Sequence, residues 1–182
     1  MSETSAPAPS LLGRLAAVWG IIGVIWLLAD AVHGVGMVAW EAIQGDPFTP
    51  LQWGFAALWV GFMAYSEGYR GFQSRLAPRV VVRAGVLARD PQPLRVLLAP
   101  AFVIGFFAGN RRRLLTSWGI TIAIVGVVLV VRQFPQPWRG IIDFGVVVGL
   151  GWGIAAVAWF AVQALLGNPP DIDPQMPEAP DQ

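Results

Sequence analysis

Long apolar runs separated by short polar breaks dominate this chain. Leu15–Trp40 is interrupted only by Asp30 and His33. At about 20 residues per crossing it is long enough to span a bilayer with tilt. A signal peptide is the rival reading, from the small-x-small triplet Ala29-Asp30-Ala31, but the apolar run continues well past that triplet. Phe48–Ser66 follows as a second span, with Pro50 tolerable in its first turn, and Glu67-Gly68-Tyr69-Arg70 marks its exit. Leu114–Val131 and Ile141–Leu166 are two further spans. The breaks carry turn chemistry, Gly45-Asp46-Pro47 after the first run and two prolines with Trp138 between the last two. The pattern predicts an all-α, polytopic transmembrane helical bundle over residues 11–167. Residues 1–10, polar and Pro/Ser-rich, and 168–182, acidic and Pro-rich, are predicted to be disordered.

One apolar segment does not fit the rule. Leu94–Asn110 is broken by Pro100, and its core Val96–Asn110 spans only about 22 Å as a helix. Arginines flank it, Arg70, Arg75, Arg79, Arg83, Arg89 and Arg95 before and Arg111-Arg112-Arg113 after. With the N-terminus inside, a returning segment leaves ten arginines inside and two outside. A crossing segment leaves nine and three, so the positive-inside rule is indifferent. Shortness, Pro100 and the contiguous triplet favour four spans plus one re-entrant or interfacial segment, with both termini cytoplasmic; five spans is the alternative. Pro78 is predicted to open an interfacial helix through Arg89, with Val81, Val82, Val86 and Leu87 against lipid and its arginines snorkelling.

Composition agrees with a membrane location and narrows the chemistry. Of 182 residues, 55% are hydrophobic and 13% charged, about half the charged share of a soluble domain. A net charge of +1 gives no nucleic-acid signal. The chain has no cysteine, which excludes disulfides, thiolate metal sites and cysteine nucleophiles. All twelve basic side chains are arginine, which excludes Schiff-base cofactors. Trp40, Trp53, Trp118 and Trp138 fall at predicted interfaces. Trp19, Trp26, Trp59, Trp152 and Trp159 lie deeper, read as packing or lipid-facing bulk rather than a ligand cage.

Within the spans, polar side chains are the candidate sites, because ionisable groups in a bilayer are costly. Asp30, His33, Met37 and Glu41 share one helix face; Asp30 and His33 are either a proton relay or packing groups satisfied by each other or by a buried polar partner such as Thr121, Gln163 or an arginine. Glu67 and Arg70 are spaced to pair. Asp143 is placed in the first turn of the last helix, where a carboxylate suits the dipole. One histidine in the chain leaves no metal site and no haem site, and no cofactor is expected. Arg75, Arg79, Arg83, Arg95, Arg111, Arg112 and Arg113 form a candidate basic face for anionic lipid headgroups or a partner. Small residues line every span for close helix approach. Gly13, Ala16, Gly20 and Gly23 do so on the first, Gly54, Ala57 and Gly61 on the second. Gly119, Ala123 and Gly126 mark the third long span, and Gly145, Gly149 and Gly153 the last, the face most suited to a second copy.

The blocks Met63–Gln73 and Arg132–Gly140 resemble a family of bacterial integral membrane proteins of uncharacterised activity. The resemblance implies a bacterial membrane location and carries over no functional residue; the location expected is the inner membrane. With no nucleophile elbow, phosphate loop or paired catalytic carboxylates, the leading expectation is a non-enzymatic packing, assembly or interaction component. The alternative is a small oligomeric transporter or channel subunit with Asp30 and His33 lining a polar path. An enzyme on a lipid-like substrate, using Asp30, His33 and Glu67, ranks third.

Overall fold

The computed structural model describes residues 9–108 and 111–174; the side chains of Arg112 and Arg113 lie outside what it describes, as do Asn110 and both extreme termini. Every regular element among the described residues is helical: α1 Leu11–Gln44, α2 Pro50–Met63, a π-helical segment Ala64–Leu76, α3 Ala77–Arg89, α4 Pro93–Leu97, α5 Ala99–Ile104, α6 Arg111–Val131 and α7 Trp138–Leu165. Three helical stretches are long and apolar enough to cross a membrane, namely Leu11–Gln44, Leu114–Val131 and Trp138–Leu165.

Helix starts follow their caps. Ser10 accepts from the Gly13 N–H at 3.1 Å and opens α1. Thr49 and Gln52 form a reciprocal capping box ahead of Pro50, so the second helix begins close to where its apolar run does. It does not end there. α2 passes into the π-helical segment and then α3 without a break, so the predicted second span Phe48–Ser66 is the first part of a longer rod. In the π turn, Ser74 Oγ donates to the Tyr69 carbonyl and the Ala77 N–H to that of Phe72, each five residues back. Wider turns change which residues share a face.

α1 packs against α7, α3 and α5, and α7 packs against α2, the π segment and α3. Lipid tails give helices no hydrophobic drive to associate, so close backbone approach and dispersion hold them. The glycine seams of α1 and α7 are where this happens. A Cβ at Gly13 would strike the Ala88 carbonyl, and one at Gly23 would lie 2.3 Å from Pro100 Cγ. Along α7, Gly145 receives Trp59, Gly149 receives Glu67 and Gly153 receives Phe72. That seam is filled from within the chain. The α2 seam is not: nothing approaches Gly54 or Gly61 within 4 Å. Gly119 and Gly126 are equally open, and α6 makes only marginal contact with any other helix.

The short segment between α3 and α6 forms part of the core. α4 and α5 have 5 and 6 residues, far short of a crossing. Leu98 breaks them apart, and Gly105 at φ +98 ends α5 in a Schellman turn, with Phe106 N–H on the Ala101 carbonyl and Gly105 N–H on that of Phe102. Ala99, Phe102 and Val103 are fully buried against Ala16 and Val24 of α1, Val80, Ala84 and Leu87 of α3, and Val157 of α7. α3 is thus not the lipid-facing surface helix its pattern predicts. It starts at Ala77 with Pro78 in its first turn, as expected, but Val81 and Leu87 are buried by protein.

Candidate functional site

A cavity of about 530 Å³ opens between α1, α2, α7 and the last turn of α6. Its wall is mostly aliphatic, from Val35, Val38, Val127, Val128, Val131, Ile142 and Val146. Set into that wall are Asp30, Glu67, Asp143, Arg132 and Arg139.

Each polar group arrives by a different route. Asp30 faces the cavity with Gly34 and Val38, one and two turns further along α1. Glu67 sits in the π segment, its Cβ directed at Gly149. Asp143 lies on α7, which starts at Trp138; the carboxylate is therefore in the second turn rather than the first, with Arg139 one turn back instead of the helix dipole. Arg139 Nε stands 3.8 Å from Asp143 Oδ2. Asp143 is only 8% exposed, and Arg139 Nε is buried with no hydrogen-bond partner. Arg132 follows α6 in the turn to α7.

The depth of each group follows from helix register. α1 and α7 run antiparallel, with Gly36 against Val147 and Ala42 against Gly140. α2 runs along α7 in the same direction, since Trp59, Glu67 and Phe72 meet successive glycines of α7. Gly149 is about 16 Å of helix beyond Trp138, and Asp30 is about 21 Å from the end of α1. Arg132, Arg139 and Asp143 line the end of the cavity nearer the α6–α7 turn; with that turn at the surface of a hydrocarbon core of roughly 30 Å, Asp30 and Glu67 would stand near mid-depth.

Aromatic side chains fix the α2 wall. Trp59 Nε1 donates to the Ile142 carbonyl at 3.0 Å. Its ring stacks on Phe55 at 6.3 Å and Phe62 at 5.6 Å. Trp59 and Phe62 both face the cavity.

Two sequence candidates stay out of this site. His33 and Arg70 are exposed and do not line the cavity. Among the described residues no hydrogen bond joins Asp30 to His33 and no ion pair joins Glu67 to Arg70. In the π turn a residue three positions on falls well short of a full turn, so Glu67 and Arg70 diverge. Arg132, Arg139 and Trp59 were not singled out from sequence as site residues. The spacing of Arg139 and Asp143, four apart on one helix, is the signal that could have found Arg139.

The arginine groups separate as well. Arg75 and Arg111 are exposed and Arg79 half-buried. Arg95 pairs with Asp90 at 2.8 Å and lies over the Phe102 ring. Arg83 is not on a surface: it is 1% exposed. Its Nε donates to the Phe102 carbonyl at 2.8 Å. Nη2 reaches the Phe107 and Ala108 carbonyls and Nη1 that of Pro174, all at 3.1 Å. The guanidinium also lies 4.4 Å from the Phe102 ring centroid. Arg83 thus gathers the turn after α5, where Ala108 takes φ +50, and the segment after α7.

No protein-family model matches the chain, and neither does any curated protein or solved structure. Fold and site therefore define the class directly. Among the described residues this is an all-helical protein with three helices apt to cross a membrane and an open cavity between α1, α2 and α7 that carries charged side chains.

Proposed function

We propose that the chain is a small, oligomeric transporter or channel subunit of the bacterial inner membrane in which Asp30 lines a polar path. One observation carries this. Carboxylates from three separate stretches of chain, Asp30, Glu67 and Asp143, line a single cavity that reaches mid-depth. An ionised group at that depth costs about 2.5–3.5 kcal/mol on insertion scales, and packing has no need of it, because glycine seams already seat α7 against α2 and the π segment. Mutual satisfaction of Asp30 and His33, one form of the packing reading, finds no support, because among the described residues no hydrogen bond joins them.

The topology that accompanies this reading has four spans, with α2 and the π segment as the second and Leu94–Asn110 returning to its own side. Arg83 supports it. One guanidinium holds the carbonyls that precede α6 and the carbonyl of Pro174 beyond α7, so both lie on one side, with α3. Arg75, Arg79, Arg111, Arg112 and Arg113 then face the cytoplasm and its anionic headgroups.

Proteoliposomes loaded with a pH-sensitive dye test the reading. Wild-type protein is expected to carry a proton or monovalent-cation flux that Asp30→Asn reduces about tenfold at equal abundance, a barrier increase of about 1.4 kcal/mol. An unchanged flux would return Asp30 to a packing role. One observation favours an interaction component as second reading: α6 is apolar on every side and almost no helix covers it.

A further inference from the structure

The cavity is asymmetric in charge. Both arginines lie toward the α6–α7 turn, where Asp143 stands beside Arg139. At mid-depth, Asp30 and Glu67 have no arginine on the cavity wall with them, and the surface between is aromatic and aliphatic. We infer that the mid-depth half of this cavity binds a lipophilic organic cation, its positive centre between Asp30 and Glu67 and its apolar body against Trp59, Phe62 and the valines. The inference rests on reading the cavity as a ligand path and names the class of ligand.

Several observations converge on this class. The volume, about 530 Å³, falls within the roughly 300–1,000 Å³ of small-molecule sites. Aromatic faces attract cations through the ring quadrupole, the more so away from water. Trp59 is fixed in the wall by its bond to the Ile142 carbonyl and by stacking with Phe55 and Phe62, which makes this side of the cavity a rigid aromatic surface. An anion of the same shape meets two carboxylates at that depth and is rejected. A small hydrated ion gains nothing from the aliphatic wall and loses its water. The opposite end carries the Arg139–Asp143 pair, Nε 3.8 Å from Oδ2, so the cavity is polar at both ends.

The test is equilibrium binding to the full chain in lipid nanodiscs, with two probes of one shape and opposite charge, tetraphenylphosphonium and tetraphenylborate. The phosphonium is expected to bind saturably and the borate not. Asp30→Asn and Glu67→Gln are each expected to weaken phosphonium binding about tenfold or more. Asp30→Glu is expected to retain most of it, and unchanged melting temperatures establish that the variants are folded. Equal binding of both probes, or binding indifferent to both carboxylates, overturns the inference and leaves only partition into lipid. Failure here is distinguishable from failure of the transport reading. An Asp30-dependent proton flux without phosphonium binding overturns the ligand class alone. Asp30-dependent phosphonium binding without any flux keeps the ligand class and overturns transport.

Discussion

Arg83 shows what single residues decide in this chain. A guanidinium presents five donors in a planar fork, and here it meets four carbonyls from two distant segments and the face of Phe102. We expect Arg83→Met to lower stability by about 2–4 kcal/mol, because each buried carbonyl left without a donor costs roughly 1–3 kcal/mol. Arg83→Lys keeps the charge but not the fork, and should fall between; thermal unfolding in detergent reads both. Glycines offer a paired test at the same scale. A Cβ at Gly145 would lie 2.4 Å from Trp59 Nε1, whereas Gly54 has open space. Gly145→Val is expected to cost about 1–3 kcal/mol, with Gly54→Val near neutral by the same assay. Neither contrast was legible beforehand. Arg75, Arg79 and Arg83 recur every four residues, and nothing in that spacing says which turns inward. The apolar neighbours Val80, Ala84 and Leu87 at helical spacing around Arg83 were the available sign, and they read equally well as a lipid-facing stripe.

At the scale of elements, the long helices were legible and the rod through Arg89 was not. Apolar length and end signals gave α1, α6 and α7 to within four residues at each end, because length is what a bilayer demands. The reach of α2 was lost at Glu67-Gly68-Tyr69-Arg70, which reads as an exit. The helix continues there by widening into π turns, with Trp152 against Gly68 and its Nε1 bonded to Gln73 Oε1 at 2.7 Å. Helix widening leaves no trace in hydropathy, and it is also what aims Glu67 into the cavity and Arg70 away. Asp30 and Asp143 were readable as costly intramembrane groups; their meeting with Glu67 depended on this unreadable register. The short segment before α6 has a direct test. α4 and α5 are too short to cross, and Arg83 holds the turn that follows them. A reporter fused after Arg113 is expected to be active only as a cytoplasmic reporter. A periplasmic signal would mean that Leu94–Asn110 crosses and that the chain has five spans.

For the molecule as a whole, the unresolved imbalance is α6. Leu115, Ile122, Ile124, Val127, Leu129 and Val130 are all exposed around its circumference, yet only its last turn touches the cavity. Lipid alone tolerates such a helix. Gly119, Ala123 and Gly126, however, give it a face on which a second backbone can approach closely, and the Gly54–Gly61 face of α2 is equally free. A cavity walled by three helices and a single turn of a fourth is also too open to isolate a path, and under the transporter reading a second copy would supply both missing surfaces at once. The cysteine-free sequence makes this easy to decide. A single Ala123→Cys on exposed α6 is expected to give a disulfide-linked dimer when membranes are oxidised. Ala156→Cys, buried at 7% exposure in α7, should stay monomeric and reports random collision. Cross-linking at 123 alone, with phosphonium binding preserved in the linked dimer, would put α6 at the contact between copies and the cavity beside it. Equal linking at both positions, or none at either with a monomer by light scattering, leaves α6 to lipid and requires the whole path to lie within one chain.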